Sequence, residues 1–150
     1  MSNLSKHFDL AELLVSEAAA RNDIPMVPSN DIVQNLRALA LNVLDPIREA
    51  AQVPIVVTSG WRPEKLNTLI GGSKTSDHLY GLAADIHAVG HDVGWLMVKI
   101  RGLQGIPLKQ GIIEFNQWAH VSIDLGDVPK REFLVASRES GRTVYRTLGA

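Results

Sequence analysis

Residues 75–91, TSDHLYGLAADIHAVGH, contain three of the five histidines in this chain. Within this segment His78 and Asp85 are seven positions apart, farther than the i,i+4 spacing that makes two side chains neighbours on one helix face. The spacing suits a loop residue and a strand residue joined by a tight turn, and Gly81 between them permits the reversal. Asp85 stands among apolar neighbours, where a carboxylate is costly to bury unless it is paired or binds a cation. The pair is therefore half of a candidate metal site.

A third candidate ligand lies in the segment EFNQWAHVSID, residues 114–124. His120 alternates with Ala119 and Val121, so on a strand its side chain faces away from theirs. The chain has no cysteine, so any metal must be bound by His, Asp or Glu. A catalytic zinc commonly takes three protein ligands and leaves a fourth position for water, and His78, Asp85 and His120 would supply two imidazoles and one carboxylate. The alternative, from spacing alone, is that these polar residues only end strands.

A catalytic metal site of this kind also needs a base beside the bound water, whose pKa zinc lowers to about 7. Glu114 lies six residues before His120, and a hairpin would bring it across from the His120 strand. Asp124 points the same way as His120 but lies about 13 Å away, at ~3.3 Å per residue. The geometry therefore favours Glu114.

The elements that must position these residues follow from hydrophobic periodicity. Asp9 and Glu12 resemble a capping box and predict a helix over residues 10–21. Ser29 or Asn30 caps a longer helix, in which Pro46 predicts a kink. Shorter helices are predicted over residues 63–70 and 92–104.

Short β-branched and apolar runs predict the strands. They cover residues 53–60, 81–89, 111–115, 118–125 and 131–137, with a hairpin at Asn116-Gln117. The polar residues 138–150 are expected to form a loosely held tail. Because helices come first and strands cluster later, the order favours an α+β fold over a parallel doubly wound sheet.

Length and composition narrow the functional classes. The 150 residues suit a single domain, 1–150, with a core of about 5–137. A net charge of −1, with no Lys/Arg block, gives a nucleic-acid partner no electrostatic support. No apolar run approaches the ~20 residues of a membrane span, and the N-terminus lacks the features of a signal peptide. We expect a monomer made in the cytoplasm, with no membrane partner.

The order and spacing of several motifs resemble the zinc D-Ala-D-Ala carboxypeptidase-like family, peptidase family M15, especially its phage-type members. The motifs are TSGWRP, LN, GGS, SDHLYGLAADI and EFNQWAHVS, and the resemblance covers about residues 5–123. It implies that His78 and Asp85 are the first two zinc ligands, in the pattern S-x-H-x-x-G-x-A-x-D. His120 corresponds to the third, in W-x-H.

The resemblance also implies a fold and an activity. The fold would be a small antiparallel sheet flanked by N-terminal helices, as in the hedgehog signalling domain. Family members cleave stem or cross-bridge peptides of peptidoglycan, often beside D-alanine, as carboxypeptidases or lysins. The expected protein is therefore a Zn²⁺ metallopeptidase, acting as a phage or prophage endolysin. It would reach the cell wall or periplasm after release, or as part of a virion.

One departure from the family pattern concerns the base. Many members place the catalytic acid three residues before the last histidine, where this chain has Gln117. Phage-type members and hedgehog domains carry a glutamate six residues before it, which matches Glu114. Arg62 matches an arginine near the zinc that holds a substrate carboxylate or polarises a carbonyl. Ser76 would support the ligand loop or contact substrate.

Other candidates have simpler interpretations. Arg62 could instead be a surface arginine paired with Glu64. His87 could contact a ligand residue or merely end a strand, His91 is not expected to be a ligand, and His7 is expected to be a surface residue. Trp61 and Trp118 pack in the core or at its rim, or wall the substrate cleft.

Two different functions remain open from the sequence. One is a zinc-binding, catalytically inactive module like the hedgehog domain, which the Gln117 departure leaves open. The other is a phage structural or adaptor protein with no metal.

Overall fold

The helices precede most of the strands, and the expected α+β class is confirmed. A computed structural model describes residues 3–149. The α-helices are α1 (Glu17–Arg21), α2 (Asn30–Leu39), α3 (Asp45–Ala51), α4 (Glu64–Leu69) and α5 (Val93–Gly102). The strands are β1 (Ile55–Ser59), β2 (Ala83–Ala88), β3 (Leu108–Glu114), β4 (Trp118–Ile123), β5 (Glu132–Glu139) and β6 (Arg142–Thr147). None of the helices described combines the length and apolar character needed to cross a bilayer.

The six strands form one sheet in the order β1-β2-β4-β3-β5-β6. Four of the five strand pairs are antiparallel, but β5 runs parallel to β3. The sheet is mainly antiparallel, as expected, and the β3–β5 pair is the exception. The loop after β4 carries the chain past β3, and Asp124 organises it by accepting hydrogen bonds from the backbone N–H groups of Gly126 and Lys130.

The C-terminal residues are a second correction, because the expected loose tail is the second strand of a β-hairpin. β6 pairs with β5 from Glu139↔Arg142 to Leu134↔Thr147. The turn places Ser140 and Gly141 at φ 52° and 76°, which matches a two-residue hairpin loop. Threonine, valine and tyrosine within β6 favour a strand although the segment is polar.

The first predicted helix is broken in two, which the periodicity does not reveal. A 3₁₀ turn covers Ala11–Leu14, and α1 begins only at Glu17, with Ser16 as its cap. The Leu13 carbonyl accepts a hydrogen bond from the backbone N–H of Trp61 at 2.9 Å. Since this carbonyl bonds across to the segment after β1, it does not continue a helix.

The long second helix runs without a break from Asn30 to Ala51, through Pro46, and the kink expected there stays a prediction. Ser29 is its cap, accepting from the Ile32 N–H at 3.3 Å. A π-helical turn over Ala40–Leu44 joins α2 to α3. Proline has no N–H to donate, and the wider turn accommodates this gap without ending the helix.

The two faces of the sheet have different roles. Alternate residues of β2 and β4, such as Ile86 and Val121, face the core with α2, α3 and α5. The residues between them, including Asp85 and His120, face the other way. The alternation of each strand therefore separates the core from a polar face that holds the candidate site.

Candidate metal centre

His78 is positioned by a single 3₁₀ turn, Asp77–Tyr80, just before β2. Ser76 caps this turn, and its Oγ accepts from the His78 N–H at 3.2 Å. Gly81 ends it at φ 72°, in the left-handed region that glycine adopts without strain. The expected reversal at Gly81 is confirmed, and Ser76 supports the ligand loop; its contact with substrate stays a prediction.

Strand register brings the other two candidate ligands together. Asp85 on β2 lies directly opposite His120 on β4. Directly opposed residues share a face of the sheet, so both side chains project to the polar face. Each candidate ligand atom of His78, Asp85 and His120 lies within 4.8 Å of the other two, and all three residues are buried.

The hydrogen-bond chemistry of this group fits a bound cation. His78 Nδ1 lies 2.8 Å from the Gly60 carbonyl oxygen, which only accepts, so Nδ1 carries the proton. In a neutral ring Nε2 then has a lone pair, and it faces Asp85 Oδ1 at 3.2 Å. His120 Nδ1 faces the same oxygen at 3.1 Å. Tetrahedral zinc ligands are about 3.3 Å apart, given bonds of roughly 2.0–2.1 Å.

Gly60 makes this arrangement possible. Its carbonyl holds the His78 ring in the orientation usual for a metal ligand, whose second nitrogen donates to a carbonyl or carboxylate. A Cβ at this position would overlap the Leu13 carbonyl oxygen. The backbone N–H of Arg62 donates to the His78 carbonyl at 2.9 Å, so the segment after β1 and the ligand loop are tied together.

The charges of the site support one another. Burial opposes ionisation of Asp85, but His78 and His120 outweigh it and hold the pKa of this carboxyl well below its usual range. Burial also lowers the pKa of His120, but the hydrogen bond and charge of Asp85 raise it by more, so it lies above the ordinary imidazole value. A charge-rich buried cluster of this kind is a strong candidate for a functional site.

Arg62 approaches the free oxygen of the same carboxylate. Its Nη2 lies 3.4 Å from Asp85 Oδ2. Nε donates to Ser59 Oγ at 3.2 Å and Nη1 to Asn67 Oδ1 at 3.4 Å. The surface pairing with Glu64 is absent from the part of the chain described. The guanidinium therefore borders the metal group, and its contact with substrate stays a prediction.

Glu114 lies on the same face of the sheet as His120, on the neighbouring strand β3. Ile112 pairs with His120 and Glu114 with Trp118 across the β3–β4 hairpin. Trp118 Nε1 donates to Glu114 Oε1 at 2.9 Å, which orients the carboxylate. Gln117, in contrast, is exposed at the turn and lies outside the metal group. The role of Glu114 as base stays a prediction.

The metal group opens onto a cleft of about 710 Å³. Its wall includes Glu114, Trp118 and Ser76, together with Lys109, whose Nζ donates to Asp77 at 2.9 Å. The far wall is formed by β5 and β6, including Leu134, Arg138, Thr143 and Tyr145. These wall residues were not identified from the sequence, although the alternation of Thr143, Tyr145 and Thr147 is a strand signal.

The remaining candidates lie elsewhere. His87 is half-buried on β2 and outside the metal group, His91 stacks on Trp95 with ring centroids 3.6 Å apart, and His7 lies 3.5 Å from Glu49. Trp61 is buried, donates to the Leu79 carbonyl and lines a neighbouring cavity of about 770 Å³. None of these four candidates contributes a ligand to the metal group within the residues described.

Comparison with known proteins agrees with this geometry. A model of the family Peptidase M15 matches residues 6–122, most of the chain and all of its candidate ligands. No curated protein matches the chain. The expected family is confirmed: the chain belongs to peptidase family M15, a family of metallopeptidases, and its His78–Asp85–His120 group can bind a metal ion.

Proposed function

We propose that this protein is a zinc metallopeptidase that hydrolyses peptide bonds in bacterial peptidoglycan, as a D-alanine-type carboxypeptidase or endopeptidase. One observation carries the proposal: Glu114, Arg62 and the buried His78–Asp85–His120 group border one open cleft. A metallopeptidase of this kind needs metal ligands, a base, and a cation for the carbonyl or carboxylate of its substrate, all within reach of one peptide. This cleft is lined by side chains that could serve as each of the three.

Zinc is the proposed ion because of the donor set. Two imidazoles and a carboxylate, with no thiolate, are a typical catalytic zinc set. When bound, zinc lowers the pKa of a water ligand to about 7 and polarises the substrate carbonyl.

The chain's own residues complete the reaction. Glu114 takes a proton from the attacking water and returns it to the amine nitrogen as the carbon–nitrogen bond breaks. Trp118 holds Glu114 in place from across the hairpin. Arg62, fixed by Ser59 and Asn67, directs its guanidinium toward a substrate carboxylate or carbonyl oxygen.

The proposed setting is a phage or prophage lysin that acts on the wall after release from the cytoplasm. Resemblance to phage-type members supports it. Fractionation of induced lysogens would locate the protein, and recovery in purified virions would point to a tail-associated, wall-piercing role instead.

A second candidate is a zinc-binding module without peptidase activity. Gln117 favours it, because a common family position for the catalytic acid holds an amide here. This candidate predicts tight zinc binding with no cleavage of any wall peptide.

The test is digestion of purified peptidoglycan with zinc-loaded protein, followed by mass spectrometry of the muropeptides. The proposal predicts new fragments whose masses identify a cleaved peptide bond. The His120→Ala variant is the matched control, since it removes one ligand. Intact stem and cross-bridge peptides after digestion by the wild-type protein would refute the proposal.

A further inference from the structure

The β5–β6 hairpin lies beyond the residues that match the family, which end at 122. It nevertheless forms the far wall of the cleft that contains the metal group. Substrate bound at the metal group and extended across the sheet would therefore meet residues that are outside the matched family core. Such residues are well placed to determine which peptide is accepted.

The strand register aligns one row of side chains across β3, β5 and β6 on the face that borders the cleft. Glu114 on β3 pairs with Ala136 on β5, which pairs with Tyr145 on β6, so the three side chains share a face. Ala136 is small and buried, and its two neighbours in the row, Glu114 and Tyr145, both line the cleft. Burial raises the pKa of the Tyr145 phenol, and the charges of Glu114 and Asp85 add to this. The Tyr145 side chain thus lies along the path from the metal group to the hairpin.

Arg138 occupies the next row, at the open end of the cleft. It pairs in register with Thr143, and both line the cleft. Its guanidinium carbon lies 5.8 Å from the centre of the Phe115 ring. Phe115 is fixed in turn by its backbone N–H, which donates to the Ala136 carbonyl at 3.0 Å. The cation is therefore held on an aromatic surface that faces the cleft.

Arg138 also differs from the other cations of the cleft in having no acidic partner. Lys109 pairs with Asp77 and Lys130 with Glu132. Glu139, next to Arg138 in sequence, pairs with Arg146 on the opposite face. Within residues 3–149, no carboxylate lies at ion-pair distance from the Arg138 guanidinium. An anion from the substrate would supply the missing partner.

The distance between the metal group and Arg138 decides which group of the substrate could reach the Arg138 guanidinium. His120 on β4 pairs with Ile112 on β3, which pairs with Leu134 on β5. Arg138 is therefore two strands away from His120 and four residues beyond Leu134 along β5. At ~4.8 Å per strand and ~3.3 Å per residue the two Cα atoms are about 16 Å apart. Allowing for the reach of an arginine side chain, an extended peptide covers the gap in roughly two to four residues.

We propose that Arg138 is a specificity-determining residue, which binds a carboxylate carried by the peptide substrate a few residues from the bond cleaved. This inference rests on the proposed peptidase function. It places the anion site on the C-terminal hairpin, separate from Arg62 beside the metal group. The acidic side chains of Asp77, Asp85 and Glu114 repel the same carboxylate and so favour one orientation of the peptide.

The test uses two matched stem-type peptides that differ only in a side-chain carboxylate or carboxamide, about three residues from the cleaved bond. Wild-type protein should prefer the carboxylate peptide. Arg138→Ala should raise KM for it about five- to tenfold with kcat nearly unchanged, and should not affect the carboxamide peptide. Arg142→Ala is the matched control, because Arg142 lies on the same hairpin but on the other face of the sheet, opposite Glu139 in the strand register.

Binding separates this inference from the proposed function. Calorimetry of the two peptides with zinc-loaded Glu114→Gln protein, with and without Arg138→Ala, needs no cleavage. An Arg138-dependent preference in binding, with no cleavage by the wild type, would support the anion site and refute the peptidase. Equal discrimination by the wild type, Arg138→Ala and Arg142→Ala would overturn the anion site even if the wild type cleaves both peptides.

Discussion

His120 Nδ1 lies 3.1 Å from Asp85 Oδ1, and the two residues are direct partners in neighbouring antiparallel strands. Their contact is therefore set by backbone hydrogen bonds of the sheet and not by a flexible loop. Sites built on strands hold their geometry closely. His78 reaches the same oxygen from the loop before β2, which completes the group.

The Asp85 carboxylate contacts His78, His120 and Arg62, so a substitution that removes only its charge tests its role in the site. Asp85→Asn keeps the shape but removes the negative charge from a buried position shared with two imidazoles and Arg62. We expect zinc affinity to fall by more than about 100-fold, measured by competition with a chelator. Asp127→Asn, on an exposed residue, is the control and should leave the affinity unchanged.

Gly60 should be intolerant of any side chain. A Cβ there meets backbone atoms of Leu13, which cannot rotate away, and the Gly60 carbonyl holds the His78 ring. Gly60→Ala should lower the free energy of unfolding by about 1–3 kcal/mol. It should also weaken zinc binding by about tenfold.

Gly102→Ala is the control for this substitution, because a Cβ at the end of α5 meets no atom within 4 Å. Its stability in urea denaturation should be unchanged or slightly raised. Equal behaviour of the two variants would show that the close approach of Gly60 to Leu13 is unimportant.

Several parts of the site could be predicted from local sequence. The His78–Asp85 spacing, the glycine between them and the alternation around His120 indicate a turn followed by strands, and the structure has both. The partner of Arg62 could not be predicted in this way. Glu64 is its neighbour in sequence, whereas Asp85 becomes its neighbour only when β1 and β2 pair.

The errors in the fold have the same origin. The helix expected over residues 10–21 breaks because the Leu13 carbonyl bonds to Trp61, which is distant in sequence. The parallel pairing of β3 with β5 depends on the path of a loop. The β6 strand was missed because its polar composition suggested a tail, although its pairing with β5 needs no apolar face.

Zinc should stabilise the protein in a pH-dependent way. A metal that binds only the folded state adds about 2.7 kcal/mol at a free concentration of 100 times Kd, or roughly 5–10 °C in Tm for a chain of this size. His120 must lose its proton to bind the metal, and Asp85 raises its pKa in the metal-free protein. The zinc-induced rise in Tm should therefore be larger at pH 8 than at pH 6.

In the metal-free protein the dependence on pH should be reversed, with the His120–Asp85 pair stabilising the fold more at low pH than at high pH. Because the folded pKa of His120 is raised, its pairing with Asp85 stabilises the fold below the unfolded imidazole pKa. That stabilisation is lost as pH rises through the folded pKa. Thermal melts in chelator and in zinc, across this range, measure both effects. The absence of any zinc-induced rise at either pH would refute the metal site.

The central claim is that Glu114 makes the bound metal catalytic, and one comparison tests it most directly. Glu114→Gln keeps an oxygen that can accept from Trp118 but cannot take a proton from water. Zinc-loaded Glu114→Gln should retain the wild-type zinc affinity and lose peptidoglycan cleavage by about 10²–10⁴-fold, while Glu64→Gln on the exposed start of α4 should cleave normally. Equal cleavage by the wild type and Glu114→Gln, at equal zinc content, would contradict the account.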